Sequence, residues 1–351
     1  MTTCPRLSHA VKVLCLVVAI SAAVGVVAVS GVLSGTTRGT TLFIAYAQNS
    51  QPVIDALHLL GERIEDKTDG AVKVQFFPDS QLGGERELVE LLQVGAVDIA
   101  KVSAGLMESF SPIYGVFSMP FLFDDTQHFY RVMDNPEIMG PIYASTQENG
   151  FVGIGYYDSG SRNFYVQDEP ILSMQDLEGK KIRVMQSEAA IEMMRLLGAT
   201  PVAMGQAEVY TAMQQGILDG AENNEFALTI ARHAEIAKHY TYTMHTRIPD
   251  VVLLSNMALR KLTDEQKAAV HEAMAESIQF QKQAWRDAIE ATRQKAIDEF
   301  DVKFYDINRE PFRDAVRPIY DELKDEPGQY ELYREIRAKA DRADANNENS
   351  Q

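Results

Sequence analysis

The chain has 351 residues with 33 basic and 50 acidic side chains, a formal charge of −17, and that surplus sets nucleic acid aside as a partner, because a phosphate backbone is held by lysine and arginine. The first 38 residues contribute Arg6, Lys12 and Arg38 and no acid, so the remainder carries 30 basic against 50 acidic residues, or −20. A surface of that sign repels anionic solutes at long range, and any anion it binds needs locally placed arginines.

Arg6 and Lys12 precede an uncharged run from Val13 to Val29, and no acid appears before Asp55. That is the form of an export signal, with Ala28-Val29-Ser30 as the cleavage candidate and an uncleaved membrane anchor as the alternative. Residues 1–38 are therefore expected to direct the chain to the periplasm. Cys4 and Cys15 are the only cysteines and both lie in this segment, so the mature chain is expected to have neither disulfide nor thiol chemistry. What remains is enough for two lobes of ordinary size.

Thr41 to Ala45 reads as a strand, and Ile54, Leu57, Leu60 and Ile64 then recur at helical spacing until Asp69-Gly70. Val72, Val74 and Phe76 alternate with Lys73 and Gln75, the pattern of a half-buried strand, closed by Pro78-Asp79. Leu88, Leu91 and Leu92 line the next helix, Gly95 stops it, and Val97 to Val102 reads as strand. The chain thus opens with strands and helices in strict alternation, an α/β lobe. Phe151 to Tyr157 is a long strand leading away from it, followed by a strand at Lys181 to Met185, a helix at Ile191 to Leu197 and a strand at Pro201 to Met204. Val251 to Ser255 is β-rich again and returns the chain to the first lobe, which makes at least two crossings and hence a hinge. Thr263-Asp264-Glu265-Gln266 has the form of a capping box, and Val270, Met274, Ile278, Trp285, Ile289, Ala296 and Phe300 beyond it share one helical face. One helix over 264–300 would be about 55 Å long and could brace both lobes, with two shorter helices as the alternative. Beyond Arg337 the chain is polar and is expected to fray.

One pattern occurs twice, 121 positions apart: Gly84, Glu87, Gln93, Gly95, Asp98 and Ala100 recur as Gly205, Glu208, Gln214, Gly216, Asp219 and Ala221. Both copies read as an apolar-striped helix, a glycine stop and a short strand. A unit used twice points to two similar lobes with a cleft between them, although glycine stops are common in α/β chains.

Arg162 comes after the Phe151–Tyr157 strand, and Arg183 lies between Ile182 and Val184, where alternation turns it away from both apolar neighbours. A guanidinium fork suits a carboxylate, so each arginine is a candidate anion ligand or else half of an internal ion pair. Asp219-Gly220-Ala221-Glu222-Asn223-Asn224 is the densest polar run of the second lobe. It is either a turn or a source of amides for a hydroxylated ligand. Asp219 and Glu222 also admit an acid–base reading, with nothing beside it: the chain has no nucleophile elbow and its histidines are scattered, His245 being read as structural. Gly83-Gly84 before a helix could hold phosphate, but Glu85 and Glu87 oppose an anion there.

Five ordered stretches resemble the extracytoplasmic solute-binding subunits of TRAP (tripartite ATP-independent periplasmic) transporters over roughly residues 41–335: Phe77 to Gly83, Gln93 to Asp98, Ser118 to Phe123, Asp176 to Val184, and Glu208 to Asn223. The resemblance implies an α/β, two-lobed periplasmic-binding-protein fold with a hinge of crossing strands and a long helix bridging both lobes. Lobe I would comprise 41–158 plus about 250–262, lobe II 159–249, the bridging helix 263–300, a C-terminal strand and helices 301–336 packing on the lobes, and a flexible tail 337–351. It further implies a monomer that closes on an organic acid and delivers it to the membrane permease for uptake driven by an ion gradient, without cofactor, metal or catalysis. Carried over residue by residue, Arg183 clamps the carboxylate, Arg162 and Asn223 assist, and Glu85 and Ser103 contribute from the first lobe. The 121-residue offset sets Glu85 against Gln206 and Ser103 against Asn224. Asn223-Asn224, His233 and the stretch from His245 to Asp250 look like the branch that takes uronates and aldonates. Glu85 would repel a second carboxylate, which disfavours a C4-dicarboxylate. Another organic acid, including a 2-oxo acid, an exported enzyme acting on sugar acids, and a sensor on the same fold are the competing readings. Gln51-Pro52 departs from the histidine the family often places before that proline.

Overall fold

The computed structural model describes residues 39–47 and 49–340. The expected signal segment and the residues of the tail from 341 onward lie outside them. Strands β1 (Thr40–Tyr46), β2 (Val72–Phe77) and β3 (Ile99–Ser103) alternate with helices α1 (Gln51–Lys67) and α2 (Glu85–Val94). Pro52 opens α1, where its missing N–H costs nothing, and Val53, Ala56, Leu57, Leu60 and Ile64 form its buried face. β4 (Phe151–Tyr157) and β5 (Arg162–Val166) come next, then β6 (Lys181–Val184), α3 (Glu188–Leu196), β7 (Thr200–Ala203), α4 (Val209–Gln214), β8 (Gly220–Asn223), β9 (His239–Thr246), β10 (Asp250–Ser255), α5 (Asp264–Phe300) and β11 (Lys303–Asp306).

The strands form two sheets, ordered β2-β1-β3-β10-β4 and β11-β9-β5-β8-β6-β7. In the first, β1 runs parallel to β2 and β3, while β10 is antiparallel to β3 and β4. In the second, β6 runs parallel to β7 and β8, while β5 is antiparallel to β8 and β9. Apart from the added edge strand β11, one plan is used twice.

The sequence repeat is the local expression of that plan. Gly95 and Gly216 stop their helices at φ of 72° and 70°, a left-handed conformation that glycine adopts without penalty. The aspartate three residues on then clips the new strand to its neighbour. Asp98 donates its N–H to the Phe43 carbonyl at 3.0 Å and accepts the Phe43 N–H on Oδ2 at 2.9 Å. Asp219 does the same with Lys181, at 2.9 and 2.7 Å. The copies differ at their start, where the second opens in a 3₁₀ turn over Gln206–Glu208.

The chain crosses between sheets at 158–161 and returns at 247–249, and α5 packs against the first crossing. Its 37 residues form a single helix begun by the expected capping box, Thr263 and Gln266 each accepting the other's N–H. Ser277 of α5 donates to the Ala56 carbonyl of α1 at 2.6 Å, and farther along Trp285 packs on Phe226 beside β8, ring centroids 4.7 Å apart. The crossings meet at Asp158. Its main chain is bracketed by the Gln281 amide at 2.9 and 2.8 Å, and its carboxylate accepts from Tyr130 at 2.7 Å and from Arg247 of the return crossing at 2.5 Å.

Candidate ligand-binding cleft

Ile182 and Val184 of β6 are fully buried, and alternation sends Arg183 to the other face, where it is 5 % exposed. Its Nε and Nη2 donate to the Met204 carbonyl at 3.0 and 2.8 Å, and its Nη1 to Gln206 Oε1 at 3.0 Å. All these acceptors are neutral. Among the described residues no carboxylate forms an ion pair with Arg183. Burial and the neighbouring Arg162 charge push its pKa below the ordinary value, against weaker pulls from Glu222, Tyr165 and Glu85. A buried cation is ordinarily paired with an anion.

Arg162 is held otherwise. Nε and Nη2 meet Glu222 Oε2 and Oε1 at 2.5 and 2.8 Å, Nη2 also reaches the Glu222 carbonyl at 2.7 Å, and Nη1 donates to Asn223 Oδ1 at 3.1 Å. Burial works against the Glu222 charge, but Arg162 and a 3.3 Å contact from His245 outweigh it and bring the carboxyl down to about 2. Arg162 is thus both neutralised and fixed in place. His245 reaches Glu222 because β9 bulges: Arg162 pairs with Thr246 while Phe164 pairs with Thr241. Met244 takes φ of 46° in the bulge, and His245 turns inward to stack on Phe164 with centroids 4.7 Å apart. Of the two carboxylates read as a candidate acid–base pair, Asp219 holds the strand clip just before β8 and Glu222 the ion pair with Arg162.

The two asparagines have different tasks. Asn223 Oδ1 accepts from Arg162 and from the Asn224 N–H at 2.9 Å, and its Nδ2 has no acceptor among the described residues. Asn224 donates to the Ser159 carbonyl at 2.8 Å and accepts from the Phe226 N–H at 3.0 Å, so it ties β8 to the first crossing. Tyr165 hydroxyl lies 2.8 Å from Nδ1 of His233, whose Nε2 is buried without a partner among the described residues. Burial, helped by the Arg183 charge, lowers the His233 pKa to about 4.

The first sheet supplies a face of opposite character. Lys101 in the middle of β3 is buried between Glu85, the first residue of α2, and Asp250, the first of β10, at 3.2 and 3.1 Å. Burial opposes the lysine charge, and the two carboxylates more than restore it. Asp250 is pushed up by burial and by Glu85, with Lys101 holding it back. Ser103 pairs with Asp250 in the β3–β10 ladder and touches Met185 just after β6, Oγ to Sδ 3.5 Å. Glu85, Ser103, Gln206, Arg183, Arg162 and Asn223 therefore all lie at strand ends or helix starts of the two sheets, on the seam between them. Sequence reasoning missed Lys101 and Asp250. The signal available was a lysine inside the apolar run Val97 to Val102, where burial demands counter-charges.

Among the described residues no group of histidine, cysteine, aspartate and glutamate is placed to hold a metal, and no helix is long and apolar enough to cross a membrane. Residues 43–326 match the family model described as bacterial extracellular solute-binding protein, family 7. The uncharacterized protein YiiZ of Salmonella typhimurium is 62 % identical over 305 residues, 87 % of this chain and 93 % of that protein. Among solved structures, a TRAP periplasmic solute-binding protein of Anaerococcus prevotii with bound D-glucuronate superposes with a TM-score of 0.82 at 38 % identity, covering 86 % of this chain and 98 % of that one. One from Bradyrhizobium in complex with D-galacturonate gives 0.81 at 33 %, covering 84 % and 99 %. With two sheets of one plan joined by two crossings, and an arginine in the seam that has no carboxylate partner among the described residues, the chain belongs to the extracellular solute-binding protein family 7, the solute-binding proteins of TRAP transport.

Proposed function

We propose that this protein captures a monocarboxylated sugar acid of the uronate class in the periplasm, by closing its lobes, and presents it unchanged to a TRAP permease. The observation that carries the reading is the charge arrangement of the seam. Arg183 has no carboxylate of its own among the described residues, so a ligand carboxylate can take that place with two parallel hydrogen bonds. The pre-neutralised Arg162–Glu222 pair and the Asn223 amide supply donors and acceptors for hydroxyls without adding net charge. Opposite them, Glu85 and Asp250 outnumber Lys101. That face accepts hydrogen bonds from sugar hydroxyls and repels a second carboxylate, which separates a uronate from a C4-dicarboxylate. The relatives solved with glucuronate and galacturonate support the same class. The protein acts as a monomer and without catalysis in this reading.

Thermal-shift and calorimetric titration with D-glucuronate, D-galacturonate, an aldonate, succinate and a 2-oxo acid tests it. One of the sugar acids should raise the melting temperature with a saturable dependence, and mass spectrometry should recover it chemically intact. A response to succinate alone, or product appearing in the recovered ligand, would overturn the reading.

A further inference from the structure

A second contact crosses the seam away from the arginines. After β3 and the short helix Ala104–Met107, Glu108 extends from the first lobe, and its Oε2 accepts from the hydroxyl of Ser187, the N-cap residue of α3 in the second lobe, at 2.5 Å. Burial raises the Glu108 pKa, and the Ser187 hydroxyl and the backbone at Ala189 and Glu188 pull against it. Glu108 thus occupies the place that a bound anion takes at a helix start, where amide donors left unpaired by the helix converge. Ser187 keeps its own cap as well, accepting from Ala190 at 3.3 Å.

Each half of this contact follows closely along the chain from a cleft residue. Glu108 lies five positions beyond Ser103, and Ser187 four beyond Arg183. Beside them Met185 reaches across the seam to Gly105, where an added Cβ would stand 2.5 Å from the methionine Cε. Tyr114 and Phe117 of the first lobe share one buried apolar cluster with Met193 and Met194 of α3. Separating the lobes would return Glu108 to water and leave the first turn of α3 without its acceptor.

We propose that Glu108 is a closure residue: it holds the lobes together through the start of α3, without touching the ligand, and so sets how long the captured solute stays. The proposal rests on the binding-protein reading for its ligand arm only. Charge-assisted hydrogen bonds are roughly twice as strong as neutral ones, so Glu108→Gln should release D-glucuronate or D-galacturonate about tenfold faster in stopped-flow measurements, with little change in association rate. The ratio of affinities for the two sugars should stay as in the wild type, because Glu108 makes no contact with either. Glu108→Asp keeps the charge but is one methylene shorter, and should not restore slow release. A release rate within twofold of wild type in Glu108→Gln would overturn the proposal, as would a lower melting temperature with unchanged release.

A ligand-free arm separates this from the choice of solute. With residues 1–38 removed the chain has no cysteine, so Val94→Cys and Ile217→Cys, at exposed sites on the two lobes, take one spin label each. Glu108→Gln should shift their distance distribution towards longer separations without any solute. If no sugar acid binds the wild type, the ligand assignment fails and this shift still decides the latch; an unchanged distribution overturns it.

Discussion

Arg162 and Arg183 stand close enough on one sheet for the charge of the first to depress the pKa of the second, yet only Arg162 has a carboxylate of its own among the described residues, Glu222 at 2.5 Å. Their substitutions should therefore diverge. Arg183→Met is expected to leave thermal stability near wild type or above it, because an uncompensated buried charge is lost. Binding should weaken by about 2–5 kcal/mol in calorimetry. Arg162→Met strands Glu222 and should cost about 3–5 kcal/mol of folding stability in urea unfolding.

His233 gives the protein a pH dependence of fixed sign. Its pKa falls from an ordinary 6.5 to about 4 on folding, through burial first and Arg183 second. The fold favours the neutral ring, so its contribution is complete above pH 6.5 and is lost as pH falls through 4. The amount is about 3 kcal/mol. The melting temperature should decline over that window, and His233→Gln should flatten the decline.

Lys101 is the counter-charge that Glu85 and Asp250 share. Lys101→Met leaves two carboxylates facing each other and should lower stability by about 3–5 kcal/mol. Adding Asp250→Asn should recover a good part of that loss. Unfolding curves of the two variants side by side measure it, and an additive double mutant would refute the coupling.

Gly220 begins β8 against β5, and a Cβ there would meet the carbonyl oxygen of Tyr165. Backbone cannot step aside as a flexible side chain can. Gly220→Ala should cost about 2–3 kcal/mol, read by chemical unfolding, and should perturb the amide resonances of both strands. Gly205→Ala, with open space around it, should be close to neutral.

The reach of each interaction along the chain decides whether the sequence discloses it. The capping box at Thr263 and the apolar face behind it are local, and α5 runs over the expected residues. Gly95 and Gly216 are local stops, and the alternation around Arg183 turns it away from Ile182 and Val184. By contrast, the Arg162–Glu222 pair joins residues 60 apart, and Lys101 draws on a partner in β10. Such pairs depend on which strands become neighbours, and strand order is set by the whole sheet. The turn of His245 onto Glu222 needs the β9 bulge, which alternation in Tyr240 to Thr246 does not announce. The repeated aspartates are visible as a pattern, but their strand-clipping role requires the strand before each of them to be in place.

The strand order also fixes when each half can be finished as the chain emerges. Every strand of the β7-β6-β8-β5-β9 core comes from one unbroken stretch, residues 162–246, whereas the first sheet waits for β10, which fills the gap between β3 and β4 only after that whole stretch has passed. Until residue 255 is free, β3 and β4 each keep an unpaired edge. The amino-terminal lobe, made first, therefore completes its sheet only after the five-stranded core of the second is available, and its open edge persists through that interval.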